Sequence, residues 1–254
     1  MKVFFITKKK IKLSLLAGFL AVTFGAVWGV GALIASAKDR MLPVYSVETS
    51  EKKIALTFDV AWEASDLEAI LSVLKENKAK GTFFTTGDWV DRHPEELKTI
   101  LSAGHEVGNH SDRHPHVAEI DLESLQKDTA ACGEKLKTAT GQTPVLYRAP
   151  YGEYDNEMLT ALKEMGYTVV QWDVDSRDWQ TSATVDSIVK NVTEHVGPGS
   201  ITLFHVDAKP RCTVEALTAI LPSLKEQGYP FATAGELLPK GDYVIDRTGR
   251  AKQS

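Results

Sequence analysis

The sequence predicts an α/β barrel of seven short parallel strands standing behind an apolar N-terminal helix. Two patterns carry the barrel. From about Val47 onward, short apolar runs alternate with amphipathic stretches, which implies βαβ units and a parallel sheet. About seven such units in roughly 200 residues fit a small barrel better than a doubly wound sheet. The third observation is a run of twenty-five uncharged residues, Leu13 to Ala37, ahead of them.

That run follows Lys8, Lys9, Lys10 and Lys12, so residues 1–12 read as a basic cytoplasmic segment. A helix rising ~1.5 Å per residue needs ~20 apolar residues to cross a bilayer, whereas a secretory signal uses ~7–15. The length therefore favours a retained membrane anchor over 13–37. The small-x-small sequence Ala35-Ser36-Ala37 keeps open a signal peptide cleaved near Ala37. Either way the body is extracytoplasmic: tethered to the cell membrane by a single pass, or secreted.

In the body, residues 48–238, strands are predicted at Ile54–Asp59, Gly81–Thr85, His105–Asn109, Val145–Arg148, Thr168–Trp172, Ile201–His205 and Phe231–Thr233. Helices are predicted near 64–77, 94–103, 121–139, 155–165, 184–195 and 213–227. Several close on glycine after a charged last turn, as at Gly81, Gly166 and Gly228. Residues 239–254 read as a surface tail.

A composition of 43% apolar and 25% charged residues excludes a disordered or collagen-like chain. The net charge of −5 is unevenly split: residues 1–40 carry +6, leaving −11 on the rest. So acidic a body argues against nucleic acid as a partner. Cys132 and Cys212 are too few for a disulfide framework and read as two unpaired or buried thiols, with a single bridge as the alternative.

In a parallel barrel the strand C-termini converge on the face that holds the active site. Here the predicted strands end in Asp59, Asn109-His110, Arg148, the group Asp173/Asp175/Asp178, and His205. His110 and His114 lie four apart, a spacing that puts both imidazoles on one side of a helical turn, as cation ligands or as a capping pair. Asp59 reads as a general base or as the N-cap of the following helix. Arg148 reads as the partner of a buried carboxylate or as a surface residue before a turn. His205 is a general acid or a satisfied core histidine, with acidic partners in Asp175 and Asp178 to raise its pKa and Trp179 to exclude water.

Taken in order, these segments resemble the NodB-homology polysaccharide deacetylases, carbohydrate esterase family 4, over about residues 50–235. The resemblance implies a distorted (β/α)7 barrel and metal-dependent hydrolysis of N-acetyl groups from amino sugars of a polysaccharide, with peptidoglycan as the leading substrate. It implies that His110 and His114 bind a divalent cation, usually Zn2+. It further implies Asp59 as base with Arg148 as its partner, His205 as acid tuned by Asp178, and the Tyr151 backbone N–H as an oxyanion donor. One position departs: where the family has a second Asp as third metal ligand, this chain has Val60. Either the histidines hold the metal with extra water, or Glu63 or Asp66 substitutes, or binding is weak. Val60 and the N-terminal anchor are similar to the sporulation-associated PdaB-like branch. The alternative that Val60 opens is a glycan-binding barrel of weak or no activity.

Overall fold

A computed structural model describes residues 40–210 and 212–254. The expected basic segment and anchor, residues 1–37, lie outside the described residues, among which no helix is long and apolar enough to cross a membrane. Of two units, Met1–Met41 and Leu42–Ser254, the second contains all the elements below.

After β1 (Ser46–Val47), the run IALTFDV forms β2 (Ile54–Val60), buried at every position. Its side chains alternate across the sheet, as a strand's must. Ile54, Leu56, Phe58 and Val60 join the large apolar cluster under the outer helices, whereas Ala55 and Asp59 face inward. Then follow α1 (Leu67–Glu76), β3 (Thr82–Thr85), α2 (Gly87–Arg92), α3 (Pro94–Ser102), β4 (Glu106–Asn109) and α4 (Leu122–Thr140). Next come β5 (Leu146–Tyr147), α5 (Asn156–Glu164), β6 (Thr168–Val169), β7 (Val174–Asp175) and α6 (Val185–Thr193). The body continues with β8 (Ile201–His205), α7 (Thr213–Glu226), β9 (Phe231–Ala232) and α8 (Ala234–Leu237).

All seven predicted strands are present, and the sheet is parallel throughout. Its order is β6-β5-β4-β3-β2-β8-β7, with β9 pairing the start of β2. The expected ring is thus a half-barrel whose edges are β6 and the unforeseen strand β7. Single bridges from Val44 to Val170 and from Ser46 to Ser200 lay the segment around β1 across the seam.

The stretch after Leu238 departs from expectation. It forms β10 (Tyr243–Ile245) and β11 (Arg250–Gln253), an antiparallel pair in which β11 also runs parallel to β1. Ala251 is fully buried among Val44, Val47, Ile201 and Leu237, so this stretch supplies apolar core to the inner face. Its polar sequence hid this because only one strand face is covered.

Candidate active site

Strand register builds the centre of the site. In the parallel pair β2–β8, Asp59 lies directly opposite His205, which puts a carboxylate and an imidazole at one level and on one face of the sheet. Across the sheet, β3 to β5 align Asp59 with Phe84, Thr85 with Asn109, and Asn109 with Tyr147, so Arg148 emerges one residue later on the same rim.

Arg148 is fully buried, and each of its guanidinium nitrogens has a partner. Its Nη1 donates to Asp59 Oδ1 at 2.8 Å, Nε to the Val170 carbonyl at 3.1 Å, and Nη2 to the Gln171 carbonyl at 3.0 Å. Its guanidinium carbon also lies 4.2 Å from the Phe84 ring centroid. Burial alone would raise the Asp59 pKa, but the Arg148 charge and hydrogen bond, with His110 and His205 beyond, hold it below the ordinary carboxylate value. Asp59 is therefore a buried carboxylate that stays ionised.

On the other side, His205 Nδ1 meets Asp178 Oδ1 at 2.7 Å. The other oxygen of Asp178 accepts from the His205 backbone N–H at 2.8 Å and from Thr213 Oγ1 at 2.9 Å. A fully buried carboxylate thus grips the imidazole and its backbone together. Burial would lower the His205 pKa, but Asp178 outweighs it, with Asp59 and Asp175 adding, and the net shift is upward. Asp175 instead accepts from the Arg177 backbone N–H at 2.8 Å. Trp179, expected to exclude water, is 53% exposed.

The two histidines meet without a helix, contrary to the expected helical turn. Residues 110–114 are a loop in which Ser111 and His114 take positive φ, 69° and 55°. The loop is pinned from several sides: Asn109 Oδ1 accepts from Ser111 N, Ser111 Oγ from His114 N, and the Asp128 carboxylate from the N–H groups of Asp112 and Arg113. Gly87 and Asp88 at the start of α2 donate backbone bonds to the Ser111 and Asp112 carbonyls, each at 3.0 Å. That approach requires glycine at 87, because a β-carbon there would overlap Asp112 Oδ1. The outcome is an edge-to-face pair of imidazoles with centroids 4.9 Å apart.

The rings fit a cation in part. His110 Nδ1 lies 2.9 Å from the Arg148 carbonyl, which selects the Nδ1–H tautomer and leaves Nε2 with its lone pair, 3.5 Å from Asp59 Oδ2. The buried His114 Nδ1 has no hydrogen-bond partner. Burial lowers the pKa of both rings, that of His114 to about 4, so both are neutral, the form that ligates. A third protein ligand is not present: among the described residues no group of three or more His, Cys, Asp or Glu is arranged to hold a metal ion. Val60 packs into the apolar cluster, Glu63 points to Arg92 at 3.8 Å, and Asp66 accepts from the Asp207 backbone N–H. Neither of the expected substitutes joins the imidazoles.

Tyr151 has φ 58° in the turn Pro150–Gly152, and its ring lies 4.7 Å from that of His114 and 3.8 Å from that of His116. Both cysteines are free thiols. Sequence reasoning missed Thr213 and Asp128, which act through the tertiary fold and carry no motif. It also missed Trp62, whose 58% exposure beside His114 is invisible in a strand-end pattern.

The polysaccharide deacetylase family profile matches residues 46–170. A peptidoglycan-N-acetylglucosamine deacetylase of Bacillus cereus is 38% identical over 197 residues, spanning 76% of this chain and 92% of its own. The peptidoglycan-N-acetylmuramic acid deacetylase PdaA of Bacillus subtilis is 33% identical, spanning 76% of this chain and 74% of its own. A carbohydrate esterase family 4 pseudoenzyme from Bacillus anthracis superposes with a TM-score of 0.74 at 30% identity, covering 84% of this chain and 73% of that one. A mutant of that pseudoenzyme has restored enzymatic activity. With a half-barrel, a buried Asp–Arg pair and an Asp–His pair on one rim, this chain belongs to the polysaccharide deacetylases, the hydrolases of carbohydrate esterase family 4.

Proposed function

We propose that the chain hydrolyses N-acetyl groups on the amino sugars of peptidoglycan, with Asp59 as base and His205 as acid. The observation that carries this is their register across β2 and β8, joined to opposite pKa shifts. An amide nitrogen is a poor leaving group until protonated, so the reaction needs a base and a separate acid at once. Asp59, held ionised by Arg148, takes a proton from water as the water oxygen bonds to the acetyl carbon. His205, held as imidazolium by Asp178, gives its proton to the sugar nitrogen as the C–N bond breaks, releasing acetate and the free amine. The Tyr151 backbone N–H would face the oxyanion formed between the two steps. A divalent cation on His110 and His114, completed by water, would polarise the carbonyl and acidify the attacking water. The uncharged run 13–37 supports a body tethered outside the cytoplasm, where such a glycan is found, and sedimentation of the intact protein with membranes tests this.

The test of activity is acetate release from peptidoglycan glycans, with and without added zinc, by wild type, Asp59→Asn and His205→Ala. Each substitution is expected to remove much of the ~10²–10⁴-fold that a positioned acid or base supplies. One observation favours a second reading. Val60 in the apolar cluster, together with the likeness to a pseudoenzyme, supports a barrel that binds glycan without cleaving it. Wild type no faster than Asp59→Asn on any glycan or metal would leave only that reading.

A further inference from the structure

Beside the imidazole pair lies a cavity of about 250 Å³ that the acid–base chemistry does not use. Trp62 and His114 line it together with Asp88, Asp91, Arg92 and Arg113. The Trp62 ring is 58% exposed and its centroid lies 5.3 Å from that of His114. Tyr151, 52% exposed, touches His114 from another side at 4.7 Å. Exposed aromatic surface therefore runs from Trp62 past His114 to Tyr151, beside the place where an acetyl group would react.

The chemistry of this lining selects a ligand class. Sugar rings present apolar C–H faces and an edge of hydroxyl groups. An aromatic face suits the first, and planar carboxylates and guanidiniums, which accept or donate two bonds at once, suit the second. Charge then decides between a neutral and an anionic ligand. Arg92 and Arg113 are matched in the wall by Asp88 and Asp91. Behind them Lys135 is matched by Asp112, reaching Asp91 and Asp112 at 2.7 Å each and Asp88 at 3.9 Å. Glu63 adds a further negative charge 3.8 Å from Arg92. No surplus of positive charge remains to draw a phosphate or carboxylate. Size limits the occupant as well: the volume lies below the ~300–1,000 Å³ of sites for drug-sized ligands, which suits one ring and not an oligosaccharide.

We propose that this cavity is a subsite for one uncharged sugar ring of the glycan strand, stacked on Trp62 and held through its hydroxyls by Asp91, Arg92 and Arg113. The ring is a neighbour of the sugar whose acetyl group meets Asp59 and His205, an identity that rests on the deacetylase reading. The site thereby selects chains long enough to fill both positions.

The probes are peptide-free peptidoglycan glycans of two and four sugars, assayed by acetate release and by calorimetric binding at low and high salt. Trp62→Ala is expected to lower the tetrasaccharide-to-disaccharide ratio of kcat/KM roughly fivefold and to weaken tetrasaccharide binding alike. Trp62→Phe should restore most of both, because the stacking face returns. Binding in the subsite should be insensitive to salt. An unchanged ratio in Trp62→Ala, or a Trp62-dependent affinity that collapses at high salt, overturns the subsite. If wild type releases no acetate from either glycan, the deacetylase reading fails. The binding comparison between wild type and Trp62→Ala then still decides the subsite.

Discussion

Replacing Arg148 with methionine isolates the interaction on which the centre depends. Methionine fills the space of the arginine stem but removes the charge, the guanidinium face over Phe84 and three hydrogen bonds. It leaves the Asp59 carboxylate, 7% exposed, without its 2.8 Å partner, and the Val170 and Gln171 carbonyls without theirs. Breaking a buried ion pair from one side costs about 3–5 kcal/mol, because the remaining charge stays buried and uncompensated. For a domain of this size, at roughly 2–4 °C per kcal/mol, Tm should fall by about 6–20 °C near neutral pH. The sign of the pH dependence follows from the same pair. In wild type, Arg148 brings Asp59 below its ordinary value against the pull of burial. Without Arg148, only His110 and His205 oppose burial, and the folded-state pKa should rise above the unfolded value of ~3.9. The charge-dependent part of the penalty shrinks as pH falls through the folded-state pKa of the variant and then that of wild type, and grows as pH rises, whereas the cost of the unpaired Val170 and Gln171 carbonyls is the same at every pH. Thermal denaturation of wild type, Arg148→Met, Asp59→Asn and the double variant across pH measures this. The double variant should lose less than the sum of the singles, since an uncharged Asn needs no guanidinium. A loss under ~1 kcal/mol, or strict additivity, would refute the pairing as the source of stability.

Four further outcomes follow from other parts of the molecule. Asp178→Asn should move the alkaline limb of the activity profile to lower pH, because His205, raised chiefly by Asp178 against the effect of burial, loses its proton sooner; an unmoved limb excludes His205 as the acid. His110→Ala should abolish zinc uptake measured by equilibrium dialysis. Val60→Asp should lower Tm by burying a carboxylate in the apolar cluster and should gain no more Tm from added zinc than wild type does, because position 60 points away from the imidazoles; a larger gain would mean that it reaches them. Ending the chain at Leu238 should cost on the order of 3 kcal/mol in chemical denaturation. The truncation uncovers the inner cluster and removes the bonds from Tyr45 N to the Gly249 carbonyl and from Glu48 N to the Ala251 carbonyl, each 2.8 Å.

The sequence by itself determined the alternation of strands and helices, because period-2 and period-3.6 apolar patterns are local properties. It also determined the polar residues that end the strands. Asp59, Arg148 and His205 each end an apolar run, and His110 and Asp178 lie within a few residues of one, a position that in a parallel sheet leads to one rim. What remained illegible depends on partners distant in the chain. The positive-φ loop at 110–114 looked helical because spacing alone does not reveal that Asp128 and Gly87 hold it open. Residues 239–254 looked like surface chain because β11 buries one face against β1, just over 200 residues earlier. β7 (Val174–Asp175) lies between Asp173 and Asp178, so no apolar run marks it in the sequence.

The resemblance pointed to Asp178 rather than Asp175 as the partner of His205, and the tertiary structure supplies the reason: Thr213 and the His205 backbone converge with the imidazole on one carboxylate. It likewise turned Val60, Glu63 and Asp66 away from the imidazoles. Strand alternation sends the side chain after Asp59 to the opposite face, while Arg92 and the Asp207 backbone engage the two acids. Charge and spacing in a sequence state which groups are near a site. Which of them touch is fixed by backbone direction and register, and those exist only once the sheet has closed around them.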